Sequence, residues 1–259
     1  MSPSKVPPNG VWAPAVTLFN PETDELDLEA QTKYYSYLSK TGLAGLVLEL
    51  LSDAAEAGAN SALVLPPAYF GKQTTPAVID LDEVATKSPI PIVIYNFPIV
   101  CNGIDLDSAT IAKYAKKYDS IVGVKLTCGA VAKIVRLSAE LAPEKFATYG
   151  GPAGCIAAFA NVFPRVTTHI YKLHGEGKTA EALALHQKAA LAEQATKAGI
   201  ATIKYAASVF TAPRAGLAGQ EKLFDPRRPY LPASEDQKKA VHSLMSELNK
   251  LEEELGASS

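Results

Sequence analysis

Ile92-Val93-Ile94-Tyr95-Asn96-Phe97-Pro98 and, a helix later, Ile121-Val122-Gly123-Val124-Lys125-Leu126-Thr127 are the two stretches whose reading decides the fold. Each begins as a short apolar run rich in β-branched residues, the composition of a buried strand. Each also ends on residues that stop a strand, an Asn-Phe-Pro loop in one and Thr127-Cys128-Gly129 in the other. Between them Asp105 or Asp107 offers a helix N-cap, and Ile111, Tyr114, Ala115 and Tyr118 recur at the helical period. Strand, helix and strand in that order make a parallel unit, because parallel neighbours need a crossover of about a dozen residues.

The same alternation extends outward. Upstream, Ser61 to Leu65 reads as a strand stopped by Pro66-Pro67, and Leu43 to Leu50 as another. A helix capped by Asp27 precedes them, with Tyr34, Tyr35 and Leu38 on one face and Gly42 as its stop, and Val11 to Phe19 is the first strand. Downstream come a helix over Val131 to Leu141, a strand from Phe146 to Tyr149 and an apolar run from Gly154 to Ala160. These seven strand candidates are one short of a closed eight-stranded barrel. Two connections are also too short for crossovers: Leu51 to Asn60, and the four residues between Tyr149 and Gly154, which make a hairpin or mark missing pieces. Beyond Pro164 the pattern turns helical, through Ala180 to Ala198 and Glu235 to Leu255. The expected architecture is therefore an α/β chain. An incomplete (β/α)8-type barrel occupies residues 1–170, with segments lacking near 50 and 151, and a helical extension occupies 171–259.

Composition narrows the function. The chain has 259 residues, 47% of them hydrophobic, enough for a sizeable core, and a formal net charge of -2. Acidic and basic residues are spread along it, which predicts neither a nucleic-acid nor a membrane partner. The opening MSPSKVPPNG has no apolar core of a signal peptide, so a cytoplasmic protein is expected. Cys101, Cys128 and Cys155 are odd in number and widely spaced, as suits reduced, buried thiols. His169, His174, His186 and His242 lack metal-ligand spacing, and no phosphate-binding glycine loop occurs, so neither metal nor cofactor is expected. The acidic residues Asp80, Asp82 and Glu83, and Glu252 to Glu254, read as solvated helix faces or ends, and Arg227-Arg228-Pro229 as surface.

Active sites of parallel barrels lie at the C-terminal ends of the strands. Lys125 ends one strand and Tyr95 the strand before it, so amine and phenol would share one mouth. A poorly solvated lysine loses basicity, and the neutral amine is the nucleophile that a Schiff base requires. A phenol beside it can relay a proton.

Tyr95-Asn96-Phe97-Pro98 followed by Gly123-Val124-Lys125-Leu126-Thr127 resembles the signature of the dihydrodipicolinate synthase and N-acetylneuraminate lyase superfamily of Schiff-base aldolases. Ala13-Pro14-Ala15-Val16-Thr17 resembles that family's first strand, Gly58-Ala59-Asn60 with Pro66-Pro67-Tyr69-Phe70 its fourth, and Gly154-Cys155-Ile156 with Asn161 its eighth. The wording is most similar to fungal sugar-acid and 4-hydroxy-2-oxoglutarate aldolase-type members. The resemblance implies that Lys125 forms the imine with a keto acid and Tyr95 relays the proton. It implies further that Gly150 and Gly151 leave room for the bound keto acid, that Thr127 meets substrate hydroxyls, and that Asn161 belongs to the substrate-binding set. No arginine follows in Ile99-Val100-Cys101-Asn102-Gly103, unlike synthase members. A 2-keto-3-deoxy sugar acid or 4-hydroxy-2-oxo acid, cleaved to pyruvate and an aldehyde, is the implied chemistry, in a homo-oligomer, the family tetramer. The family's carboxylate-binding loop has no match where Leu48-Glu49 runs into Leu50-Leu51-Ser52. The alternative is thus a catalytically silent, truncated paralogue or isoform that serves as an oligomer partner or keto-acid binder.

Overall fold

The structure, a computed structural model, describes residues 6–47, 59–67 and 81–257. In chain order the described strands and α-helices are β1 (Gly10–Pro14), α1 (Leu28–Leu38), β2 (Gly45–Val47), β3 (Ala62–Val64), α2 (Asp82–Lys87), β4 (Ile92–Asn96), α3 (Ser108–Lys117), β5 (Ile121–Leu126), α4 (Val131–Glu140), β6 (Ala147–Tyr149), β7 (Gly154–Ile156), α5 (Pro164–Gly175), α6 (Thr179–Glu193), α7 (Ile200–Phe210) and α8 (Glu235–Ala257). They fall into two compact units, Met1–Asn9 with Glu49–Ile156, and Gly10–Leu48 with Ala157–Ser259. The N-terminal segment Gly10–Leu48 thus groups with the C-terminal helices.

The first unit is built on four strands in the order β3-β4-β5-β6, all parallel. Helices follow β4 and β5, as the crossover rule requires. Asp107 is the residue that caps α3, its carboxylate accepting from the Thr110 amide at 2.7 Å. Side chains alternate across a strand, so the sheet has two faces. On one, Ile92, Ile94 and Val124 join Leu81, Ala85, Ile111, Ala112 and Leu137 from the covering segments in a single apolar cluster. Each such side chain contributes about 1.5–3 kcal/mol by leaving water. The other face carries Val93 and Tyr95 beside Gly123 and Lys125, and those beside Ala147 and Tyr149. Gly123 is needed there, since a Cβ would lie 2.7 Å from the Ala147 carbonyl oxygen.

β6 and β7 are joined by a tight turn. Gly151 and Gly154 make an antiparallel bridge and the Gly150 amide donates to the Gly154 carbonyl at 2.8 Å. The short connection therefore resolves as a turn, with Gly150 at φ 95° and Gly154 at φ 103°, backbone angles that favour glycine. The apolar run from Gly154 splits: it is extended only to Ile156, then Ala158–Asn161 forms a 3-10 turn. Among the described residues the strands hydrogen-bond in separate sheets rather than closing into one barrel. The residues expected to bear on the missing carboxylate loop, 48–52, lie outside those described, as do Gly58, Tyr69, Phe70 and Asp80.

In the second unit β1 and β2 pair in parallel, and α1 is capped as its sequence predicts, Asp27 accepting from the Ala30 amide at 2.9 Å. Tyr34 and Leu38 are fully buried against Leu18, Leu217 and Phe224. Helices α5 to α8 share a core of Phe163, Val166, Ala189, Ala206, Phe210, Val241, Met245 and Leu248. One expectation fails here. Glu252 is no solvated helix residue but is 0% exposed, accepting from the Arg165 and Val166 amides at 3.0 and 2.9 Å. The first turn of α5 has unsatisfied amides, and this carboxylate satisfies two of them.

Candidate active site

The site lies within the first unit, on the sheet face opposite the helix-packed core. Parallel register puts Tyr95 of β4 beside Lys125 of β5, and Lys125 beside Tyr149 of β6, so the three side chains rise in one row from one face. Lys125 is 8% exposed, and its Nζ stands 3.9 Å from the centre of the Tyr95 ring. Loss of water around the amine pushes its pKa down to about 8, opposed in part by the neighbouring Cys155 thiol. At neutral pH roughly a tenth of such amines is unprotonated, against about one in several thousand for an ordinary lysine.

The loop that carries Tyr95 and Phe97 is tied down by polar groups. Asn96 is fully buried; its amide nitrogen donates to Asp105 at 2.7 Å and its oxygen accepts from the Leu106 amide at 2.9 Å. The same Asp105 oxygen accepts from Lys133, whose side chain is 5% exposed, at 2.5 Å. Asp105 is thereby a loop anchor, while Asp107 caps α3. Cys101 closes the loop from beyond, its thiol donating to the Pro66 carbonyl at 3.3 Å, and burial raises that thiol's pKa. The tilted Tyr95 and Phe97 rings lie 5.3 Å apart.

The remaining sequence candidates are placed as follows. Thr127 caps the β4–β5 pair: its amide and its hydroxyl both donate to the Asn96 carbonyl, at 3.2 and 2.9 Å. The hydroxyl's lone pairs stay available to accept. Gly150 and Gly151 lie in the same unit. A Cβ would come within 3.1 Å of the Leu126 carbonyl at Gly150 and 2.5 Å of Ile134 at Gly151. Asn161 belongs to the second unit, is fully buried, and spends its amide on backbone: it accepts from Val16 at 3.0 Å and donates to Pro14 and Ala158 at 2.7 and 3.1 Å. The structure thus gives Asn161 a clamp's environment within its own unit.

Sequence reading missed Lys133, Asp105, Tyr149 and Cys155 as neighbours of this site. Lys133 and Asp105 are 28 residues apart and meet only through the register of their unit, so no local pattern announces them. It also missed a third buried lysine. Lys204 on α7 is 4% exposed with its pKa pushed to about 8 by burial, but its amine donates to the Thr17 and Asp225 carbonyls at 2.9 and 3.0 Å. Low basicity alone therefore does not distinguish Lys125; its phenol neighbour and its position at a strand end do. Among the described residues no group of three or more His, Cys, Asp or Glu is arranged to hold a metal, and no helix is long and apolar enough to cross a membrane.

The sequence pattern of the dihydrodipicolinate synthetase family matches residues 46–248. A protein of Coccidioides immitis named as a mitochondrial 4-hydroxy-2-oxoglutarate aldolase is 46% identical, over 96% of this chain and 98% of its own. An L-threo-3-deoxy-hexylosonate aldolase of Hypocrea jecorina is 29% identical, over 81% of this chain and 89% of its own. A crystal structure of a dihydrodipicolinate synthase family protein from Coccidioides immitis superposes with a TM-score of 0.90 at 42% identity, over 98% of this chain and 100% of that one. The first alignment runs over 307 positions, 48 more than this chain's 259 residues, so at least that many of its positions have no counterpart here. The mitochondrial name of this relative overturns the cytoplasmic expectation, which rested only on the composition of the first residues. Register, buried amine, family pattern and relatives agree: this chain belongs to the dihydrodipicolinate synthetase family.

Proposed function

We propose that the chain is a Schiff-base aldolase that cleaves a 4-hydroxy-2-oxo acid, or a 2-keto-3-deoxy sugar acid, to pyruvate and an aldehyde. The observation that carries this reading is the Lys125 amine, shielded from water and seated 3.9 Å from the Tyr95 ring centre at the ends of paired strands. The names of the relatives, a 4-hydroxy-2-oxoglutarate aldolase and a 3-deoxy-hexylosonate aldolase, support it and set the substrate class.

In this mechanism neutral Lys125 attacks the ketone carbon, and water leaves as the protonated imine forms. The Tyr95 phenol gives its proton to the departing hydroxyl and, as phenolate, takes the proton of the C4 hydroxyl as the C3–C4 bond breaks. The bonding electrons pass into the imine, which becomes an enamine, and the aldehyde departs. Protonation at C3 and hydrolysis release pyruvate and restore the amine. Thr127 accepts from a substrate hydroxyl, and Gly150 and Gly151 border the keto acid without side chains of their own.

Retro-aldol assay over a panel of 4-hydroxy-2-oxo and 3-deoxy-2-keto acids tests the proposal. Pyruvate release that Lys125→Met abolishes is expected; a folded wild-type chain with no turnover on any member would instead leave the silent-paralogue reading.

A further inference from the structure

Lys125 has an aromatic neighbour on each side. Tyr95 occupies one, and Tyr149, its in-register partner across the β5–β6 ladder, occupies the other. Adjacent strands lie about 4.8 Å apart, so in-register side chains on one face stand against each other. Tyr149 is 2% exposed, and its hydroxyl points to the Pro7 and Pro8 carbonyls, 3.5 Å from each. Those prolines belong to the same unit and bring in a segment remote in sequence. A buried tyrosine fixed by its strand presents an apolar ring to its in-register neighbour.

We propose that Tyr149 is a positioning residue for Lys125: its ring walls the amine on the side opposite Tyr95. The inference deepens the aldolase reading and rests on it. Tyr149 exchanges no proton with substrate. It excludes water from the amine and limits the directions in which the lysine stem can swing. A ring fits both tasks better than an aliphatic side chain, because it has few rotatable bonds and large area. The Gly150–Gly154 turn follows immediately, so the ring's strand cannot slide without breaking it.

The test is the pH dependence of borohydride trapping with pyruvate, read by mass spectrometry at Lys125 in the full chain. Wild type should show a rate that rises to an inflection near pH 8, the value to which burial lowers the amine. Tyr149→Phe keeps the ring and should leave the inflection in place. Tyr149→Ala and Tyr149→Gln admit water and should raise it by about one pH unit, with a matching loss of rate at neutral pH. A merely structural tyrosine would lower the yield of folded protein without moving the inflection. An unmoved inflection in a folded ring-less variant overturns the proposal, as does a shift in Tyr149→Phe as large as in Tyr149→Ala. Failure of every ring-less variant to fold also overturns it, assigning the residue to structure alone. If wild-type Lys125 is not trapped at any pH, the aldolase reading itself fails, an outcome distinct from all of these.

Discussion

Lys125 is a costly residue to bury, and that cost is measurable. Its folded pKa of about 8 lies below the ordinary lysine value of 10.5, so the unfolded chain binds more protons between those pH values. Stability therefore rises with pH across that window, and the penalty is fully present below pH 8. Lys125→Met keeps the stem and drops the charge. It should stabilise the chain by up to about 3 kcal/mol at pH 7, and the gain should shrink as pH climbs from 8 toward 10.5. Urea unfolding at pH 7 and pH 10 measures it; a variant less stable than wild type at pH 7 would mean that the amine is not desolvated. At this scale the sequence was informative. Lys125 and Tyr95 each stand one residue before the end of a strand, and parallel strands of known order bring those ends together. Lys204 was not legible, because nothing in the helical pattern of Ile200–Phe210 tells which face meets the Thr17 and Asp225 carbonyls.

Among the elements, β4 and its following loop carry the strictest demands. Asn96 sits at the strand's end with all its polar capacity inside the unit, on Asp105 and the Leu106 amide. Asn96→Ala leaves that amide buried without its acceptor and removes a donor to Asp105. A loss of about 1–3 kcal/mol is expected, read as a lower urea midpoint. The pyruvate-trapping rate at Lys125 should also fall, because Tyr95 precedes the loosened residue. An unchanged midpoint would show that the network carries no stability. The strand and helix pattern here was readable from residue spacing: β5 was placed at both ends, and the cap at Asp27 follows from a short polar side chain preceding an apolar period, whereas spacing left Asp105 and Asp107 open for α3, where Asp107 is the cap. The Lys133–Asp105–Asn96 connection was not, since its members come from a helix, a loop and a strand. Nor was the 3-10 turn at Ala158–Asn161, where an apolar run gives no period to separate strand from turn.

On the scale of the whole molecule, each unit is closed by long-range contacts that composition hides. Glu252 is the clearest: a glutamate in a charged helix, read as solvated, that instead caps α5 from inside. Burial raises its pKa to about 7 against the pull of the two amides, so the folded chain holds a proton more tightly than the unfolded one between pH 4.5 and 7. This residue's contribution accordingly falls as pH rises through that window. Glu252→Gln keeps one accepting oxygen and places a donor against the other amide. A loss of roughly 1–3 kcal/mol at pH 7 is expected by thermal or urea unfolding, and no loss would remove the cap from the account. The barrel expectation was legible as a class, from alternating strands and helices. So was its incompleteness, because two connections were too short to cross over.

The central claim is that one amine in this chain is built to capture a ketone. Incubation with pyruvate and borohydride, followed by peptide mass spectrometry, tests it most directly. A reduced pyruvyl adduct is expected on Lys125 and none on Lys204, whose equally depressed amine is occupied by two carbonyls. Folded protein with Lys125 unmodified, or with label spread over surface lysines alone, would contradict it.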